Sequence, residues 1–207
     1  MVRSVLRRVA RRLMTTAAVR HDLHGFHDAA ATAPRASLIV LNSRACGADL
    51  LRALWDASDF RVCADGGANR VHDLLGLDAV PDAIVGDFDS ARPEVVDAYA
   101  SRGCRVERVR DQDATDLEKA LGVVGARWDA AGTDDGAVRV AGAFGTRFDH
   151  EMAAIQALYG FGAARPNARA TLHGDHAAAC LLSADSRHEL LVRREFEGPR
   201  GAARDIV

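Results

Sequence analysis

Ala83-Ile84-Val85-Gly86-Asp87-Phe88-Asp89-Ser90 is a short apolar run that breaks at a glycine into two closely spaced aspartates. A run of this length bounded by a turn residue reads as a buried strand, and the acids then fall in the loop leaving its carboxyl end. The arrangement recurs downstream, where Arg105-Val106-Glu107-Arg108-Val109 leads into Asp111-Gln112-Asp113-Ala114-Thr115-Asp116 and then into a helical pattern. Carboxylates gathered where strands hand over to helices suit a hard cation. Mg²⁺ takes oxygen ligands and keeps waters while bridging substrate phosphates, so the two clusters predict metal-assisted phosphoryl-type chemistry.

Working outward, further short apolar runs alternate with helical periodicity. Leu38-Ile39-Val40-Leu41, Arg61-Val62-Cys63-Ala64 and Ala137-Val138-Arg139-Val140-Ala141 read as strands. Asp49 to Trp55 carries Leu50, Leu51, Leu54 and Trp55 at helical spacing, Thr115 to Trp128 carries Leu117, Leu121, Val124 and Trp128, and Met152 to Tyr159 reads as the last helix. Strands separated by helices predict βαβ units, hence an α/β domain with a mostly parallel sheet that begins near Ser37. Ligands of such sheets bind beyond the carboxyl ends of the strands. Four loops converge there: Asp65-Gly66-Gly67-Ala68-Asn69-Arg70, Gly86 to Ser90, Asp111 to Asp116, and Gly142-Ala143-Phe144-Gly145-Thr146-Arg147-Phe148-Asp149-His150.

Each loop taken alone has a plainer reading. Asp65-Gly66-Gly67 is an ordinary turn in which glycine supplies positive φ, and neither standard glycine-rich phosphate fingerprint is present. Thr115 and Glu118 fit a capping box, which accounts for those two residues and leaves Asp111 and Asp113 unexplained. Like charges packed together repel unless a cation or protons intervene, and the same holds for Asp87 and Asp89. Arg147 is the natural counter-ion for a phosphate, with a surface ion pair to Asp149 as the alternative. His150 stays open between a site role and simple exposure.

The chain has 207 residues, 48% of them hydrophobic, and a formal charge of -2, enough for one complete core with perhaps part of a second domain. Its first twenty residues hold Arg3, Arg7, Arg8, Arg11, Arg12 and Arg20 and no acid. We read residues 1–36 as a basic disordered segment or a transit peptide, with Met14 as an alternative start. The location is read as cytoplasmic, with mitochondrial or plastid import as the alternative. His21, His24 and His27 recur at helical spacing, but the Ala-rich, Pro-containing stretch around them favours a linker over a metal trio. Cys46, Cys63, Cys104 and Cys180 lack thiolate-metal spacing and read as reduced, mostly buried thiols. With no basic stripe and no long apolar run, neither a nucleic acid nor a membrane is an expected partner.

The motifs CADGGANR, GDFDS, DQDATDLEKAL and GTRFDHEMA, in this order and spacing, resemble the catalytic domain of the thiamine pyrophosphokinase family over roughly Ser37 to Tyr159. The resemblance implies a Rossmann-like three-layer α/β domain over residues 37–165, followed by a β-sandwich domain. It implies Mg²⁺-dependent transfer of the β,γ-diphosphate of ATP to the thiamine hydroxyl, giving thiamine diphosphate and AMP, by a homodimer. Carried onto this chain, Asp87, Asp89, Asp113 and Asp116 resemble the metal and phosphate acids. Arg147 joins them as a catalytic residue, and Gln112, Thr115, Arg147 and Asp149 line the substrate cleft. Asp65, Gly66, Gly67 and Asn69 match the neighbouring rim.

The resemblance weakens at the C-terminus. Residues 166–207 are expected to form only the truncated start of the sandwich, its first strands drawn from Ala168 to Val192, including Thr171-Leu172-His173-Gly174 and Ala177 to Leu182. The family's tryptophan-bearing C-terminal motif has no counterpart. An exposed sheet edge and a loosely ordered tail from Glu195 are expected to follow. Two alternatives stand beside the kinase reading: an inactive remnant that binds Mg-nucleotide without turnover, and another Mg²⁺-dependent phosphoryl or nucleotidyl transferase.

Overall fold

The computed structural model describes residues 19–22, 36–145, 147–182 and 188–191. The Arg-rich start with Met14, His24 and His27, Thr146, and the tail from Glu195 lie outside the described residues. The chain divides into two units, of which Ala29–Leu181 holds the sheet and its helices. In the other unit, β1 (Val19–Asp22) pairs in parallel with β9 (His188–Leu191).

The sheet is built from β2 (Ala36–Val40), β3 (Phe60–Ala64), β4 (Ala83–Gly86), β5 (Arg105–Arg108), β6 (Ala137–Ala141), β7 (Arg169–Gly174) and β8 (Ala177–Cys180). Its order is β5-β4-β3-β2-β6-β7-β8, parallel throughout except for antiparallel β8. Each of the five strands read from the sequence is present within a residue or two of its expected bounds. Successive side chains point to opposite faces. Ile39, Val62, Val85, Val138 and Val140 enter one core with helices α4 (Asp116–Ala131) and α5 (Phe148–Ala164). Leu38, Val40, Cys63 and Ile84 enter the other with α1 (Ala48–Asp56), α2 (Gly67–Leu75) and α3 (Pro93–Ala100). All of β2 is buried because both faces are covered, which is why it reads as an unbroken apolar run. The product is a three-layer α/β domain.

The helices keep their sequence signals. Leu50, Leu51, Leu54 and Trp55 are buried in α1, as are Leu117, Leu121, Val124 and Trp128 in α4. Thr115 and Glu118 form the reciprocal capping box, and Gly132 ends α4 at φ 66. Helix α5 runs longer than Met152 to Tyr159 and leaves both of those side chains exposed.

One expectation is corrected. Thr171 to Gly174 and Ala177 to Cys180 do not open a second sheet; β7 pairs with β6, and β8 closes back on β7 as a hairpin. Leu172 at 0% exposure packs into the α4–α5 core, so burying it requires β7 to extend the existing sheet. The chain thus leaves β2 toward β5 on one side and returns to β6 on the other. The strand order reverses between β2 and β6, and in such sheets ligands bind beyond the carboxyl ends at that switch point.

Candidate active site

The site is built on two residues in left-handed backbone. Asp65 follows β3 at φ 44 and Phe88 follows β4 at φ 66, the two non-glycine residues with positive φ among the described residues. Aspartate tolerates that region, whereas for a bulky residue it costs about 1–3 kcal/mol and persists only when neighbours hold it. Arg108 is that neighbour. Its guanidinium stacks 4.9 Å from the Phe88 ring and its Nη1 donates to the Asp87 carbonyl at 2.8 Å. The strained turn carries Asp87 and Asp89, and the Asp89 amide donates to Asp87 Oδ1 at 3.3 Å.

Gly67 lets the start of α2 approach β2, and Gly86 lets the end of β4 approach the turn after β3. A Cβ on Gly67 would lie 2.0 Å from the Val40 carbonyl oxygen, and one on Gly86 would lie 2.8 Å from the Asp65 Cβ. Asn69 braces the turn from α2, its Nδ2 donating to the Ser90 carbonyl at 2.9 Å and its Oδ1 accepting the Arg92 amide at 3.0 Å. Asp65 braces it from beneath, accepting the amides of Ser90 at 3.3 Å and Ala91 at 2.8 Å.

Asp65, Asp87 and Asp116 bring carboxylate oxygens within 4.8 Å of one another. Asp65 is 1% exposed. Burial first, then a hydrogen bond with Asp89 and the charge of Asp116, push its carboxyl up to about 6, against the opposing Ser90 and Ala91 amides. Asp87 is held below the usual carboxylate range, chiefly by Gln112, whose Nε2 donates to Oδ2 at 3.2 Å and ties the two acidic loops together. Lys119, one turn into α4, is 4% exposed at its side chain and places Nζ 3.2 Å from Asp116 Oδ1. Its charge also favours ionised Asp87.

Of the predicted residues, the structure therefore brings together Asp65, Asp87, Asp89, Asp116 and Gln112. Asp113 is exposed and lies outside that group; its amide donates to Asp111 Oδ1 at 2.9 Å in a local turn. Thr115 is engaged in its cap. Gly66 and Gly67 open α2. Arg147 and Asp149 form an exposed two-pronged pair at the start of α5, with Nε to Oδ1 at 3.0 Å and Nη2 to Oδ2 at 2.5 Å. Sequence reasoning missed Lys119 and Arg108, and placed Asp65 at the rim rather than among the clustered acids. The signal for Lys119 was its position three residues after Asp116 on a helix, which puts both on one face.

The family described as "Thiamin pyrophosphokinase, catalytic domain" matches residues 51–172. Thiamine pyrophosphokinase 1 of Oryza sativa subsp. japonica is 38% identical over 176 residues, covering 79% of this chain and 64% of that protein. Thiamine pyrophosphokinase 1 of Arabidopsis thaliana is 36% identical over 185 residues, covering 83% of this chain and 67% of that protein. The chain thus spans about two thirds of the length of these relatives. The structure of thiamin pyrophosphokinase from Candida albicans superposes at a TM-score of 0.66 with 24% identity, covering 76% of this chain and 62% of that one. The yeast enzyme superposes at 0.61 with 20% identity, covering 74% and 62%. These two share the fold. With the family match running through all four motif loops, the chain belongs to the thiamin pyrophosphokinase family.

Proposed function

We propose that this chain transfers the β,γ-diphosphate of ATP to the hydroxyl of thiamine, giving thiamine diphosphate and AMP. The observation that carries the reading is the cluster of Asp65, Asp87 and Asp116 with the buried Lys119 beside it, on the catalytic domain of a family of that name. The donor set is all oxygen and partly desolvated, which fits Mg²⁺, and the crowding that raises the Asp65 carboxyl is what a divalent cation would relieve. Asp65, Asp87 and Asp116 would hold the ion, with Asp89 beside them. When bound, Mg²⁺ would supply charge neutralisation for the phosphates held at these carboxylates.

The chain's own residues do the rest by position and charge, as phosphoryl transfer requires. Lys119 supplies a fixed positive charge inside the acidic cluster. Gln112 fixes the Asp87 rotamer, so the two acidic loops keep one spacing. Arg147, paired with an exposed carboxylate at the start of α5, can exchange that partner for a phosphate of the same two-pronged geometry. An aspartate of the clustered set accepts the hydroxyl proton of the acceptor. Homodimeric assembly and a cytoplasmic location belong to the same proposal; among the described residues no helix is long and apolar enough to cross a membrane.

The test is incubation of the purified chain with Mg²⁺, ATP and thiamine, with Asp87→Asn and Asp116→Asn alongside. The reading predicts AMP and thiamine diphosphate in equal amounts, lost in both variants. Mg²⁺-dependent ATP binding without either product would overturn this reading, and AMP formed only with another acceptor would favour a different transferase.

A further inference from the structure

The half-buried arginines of the described residues have partners, with one exception. Arg92 pairs with Asp73 and Arg165 with Asp129. Arg139 donates to the Ala57 carbonyl and Arg61 to the Trp55 carbonyl, and Arg127 lies over the Phe60 ring. Arg70 is the exception. It is half-buried, its Nε is shut off from solvent, and no hydrogen bond, carboxylate or ring among the described residues answers its guanidinium.

Its position compounds the cost. Arg70 is the fourth residue of α2, whose first turn holds no acid, so a cation sits near the positive end of the helix dipole. Partial desolvation of an unpaired charge is unfavourable as well. Both penalties reverse if an anion arrives. The start of α2 also sits where one would arrive: Gly66 is packed so closely on the loop leaving β2 that a Cβ there would lie 2.4 Å from Asn42 Nδ2, and the Arg70 charge is felt at the Cys46 thiol of the same loop. That loop leaves the strand beside which the strand order reverses, the place where ligands of such sheets bind. It is held in place from the far side, with Asp175 accepting the Gly47 amide at 2.7 Å.

We propose that Arg70 is an anion-binding residue that takes the phosphate chain of the nucleotide between the loops leaving β2 and β3. The assignment rests on the Mg-ATP reading above and adds to Lys119 and Arg147 a cationic contact on the α1–α2 side of the sheet, opposite Lys119 on α4. Its planar fork suits two phosphate oxygens in a way that a lysine does not.

The test compares Arg70→Gln and Arg70→Lys with the wild-type full-length chain by calorimetric titration of inorganic tripolyphosphate and of ATP, both with Mg²⁺, beside thermal melts. Loss of one charge-assisted contact corresponds to about ten- to hundredfold weaker binding of both probes to the Gln variant. The Lys variant should recover part of it, and the melting temperature of either variant should not fall. Unchanged affinities overturn the proposal, as does weaker binding that tracks a lower melting temperature. Wild-type turnover of ATP and thiamine with undiminished tripolyphosphate binding by Arg70→Gln sinks this inference and leaves the kinase reading intact. A wild-type chain that binds no ATP removes both.

Discussion

Replacing Asp65 by Asn should make the metal-free protein more stable while removing its response to Mg²⁺. The ordinary carboxyl value is 3.8 and burial with Asp89 and Asp116 raises Asp65 to about 6. Keeping the group ionised at pH 8 therefore costs about 3 kcal/mol relative to the unfolded chain. Against this, an amide can accept only one of the Ser90 and Ala91 amides and turns its NH₂ toward the other, a loss of about 1–2 kcal/mol. The net gain is about 1–2 kcal/mol, or about 3–6 °C in Tm for a chain of this size. The sign reverses nothing at low pH. The folded state binds the proton more tightly than the unfolded state, so the wild-type penalty is absent below pH 3.8, grows as pH rises to about 6, and is constant above that. Thermal melts of both proteins at pH 5 and pH 8, with and without Mg²⁺, would read this. A variant less stable than wild type at pH 8, or one still stabilised by Mg²⁺ to the wild-type extent, would refute the reasoning.

Gly67→Ala places a Cβ 2.0 Å from a carbonyl of the central strand, where only backbone can yield, and should cost about 3 kcal/mol or more by calorimetry. Gly122→Ala lies inside α4 with nothing within 4 Å of the new Cβ, and should instead stabilise by about 0.5–1 kcal/mol. Thr115→Ala removes one half of the capping box and should cost about 1 kcal/mol in urea unfolding with an unchanged m-value. Lys119→Met leaves Asp116 beside the other acids without its cation; turnover should fall at least about hundredfold, and Mg²⁺ affinity should rise or hold in titration.

What the sequence made legible was set by local rules. Strands buried on both faces need continuous apolar runs, so β2, β3 and β4 could be read directly, and their carboxyl-end loops followed. The Thr115–Glu118 cap spans three residues and needs no tertiary knowledge. The rest depends on packing. Ala177 to Cys180 offers no contrast between faces, so nothing in it says which sheet it joins; Leu172 settles that by burial. Spacing alone gives Asp111, Asp113 and Asp116 equal standing, and only the start of α4 turns Asp116 inward beside Lys119. Asp65 resembled a turn residue because its role comes from a left-handed backbone that drops it under the Asp87–Asp89 turn. Lys119 carried no signal of its own until α4 was packed over β3 and β4, which leaves its side chain 4% exposed beside Asp116.

The most direct measurement is the anomalous signal of Mn²⁺, used in place of Mg²⁺, in crystals grown with a non-hydrolysable ATP analogue. The account predicts a peak with carboxylate oxygens of Asp65, Asp87 and Asp116 at about 2.1 Å, and phosphate oxygens completing its ligands. A peak held instead by Asp111 and Asp113, or nucleotide bound with no metal at the three carboxylates, would contradict it.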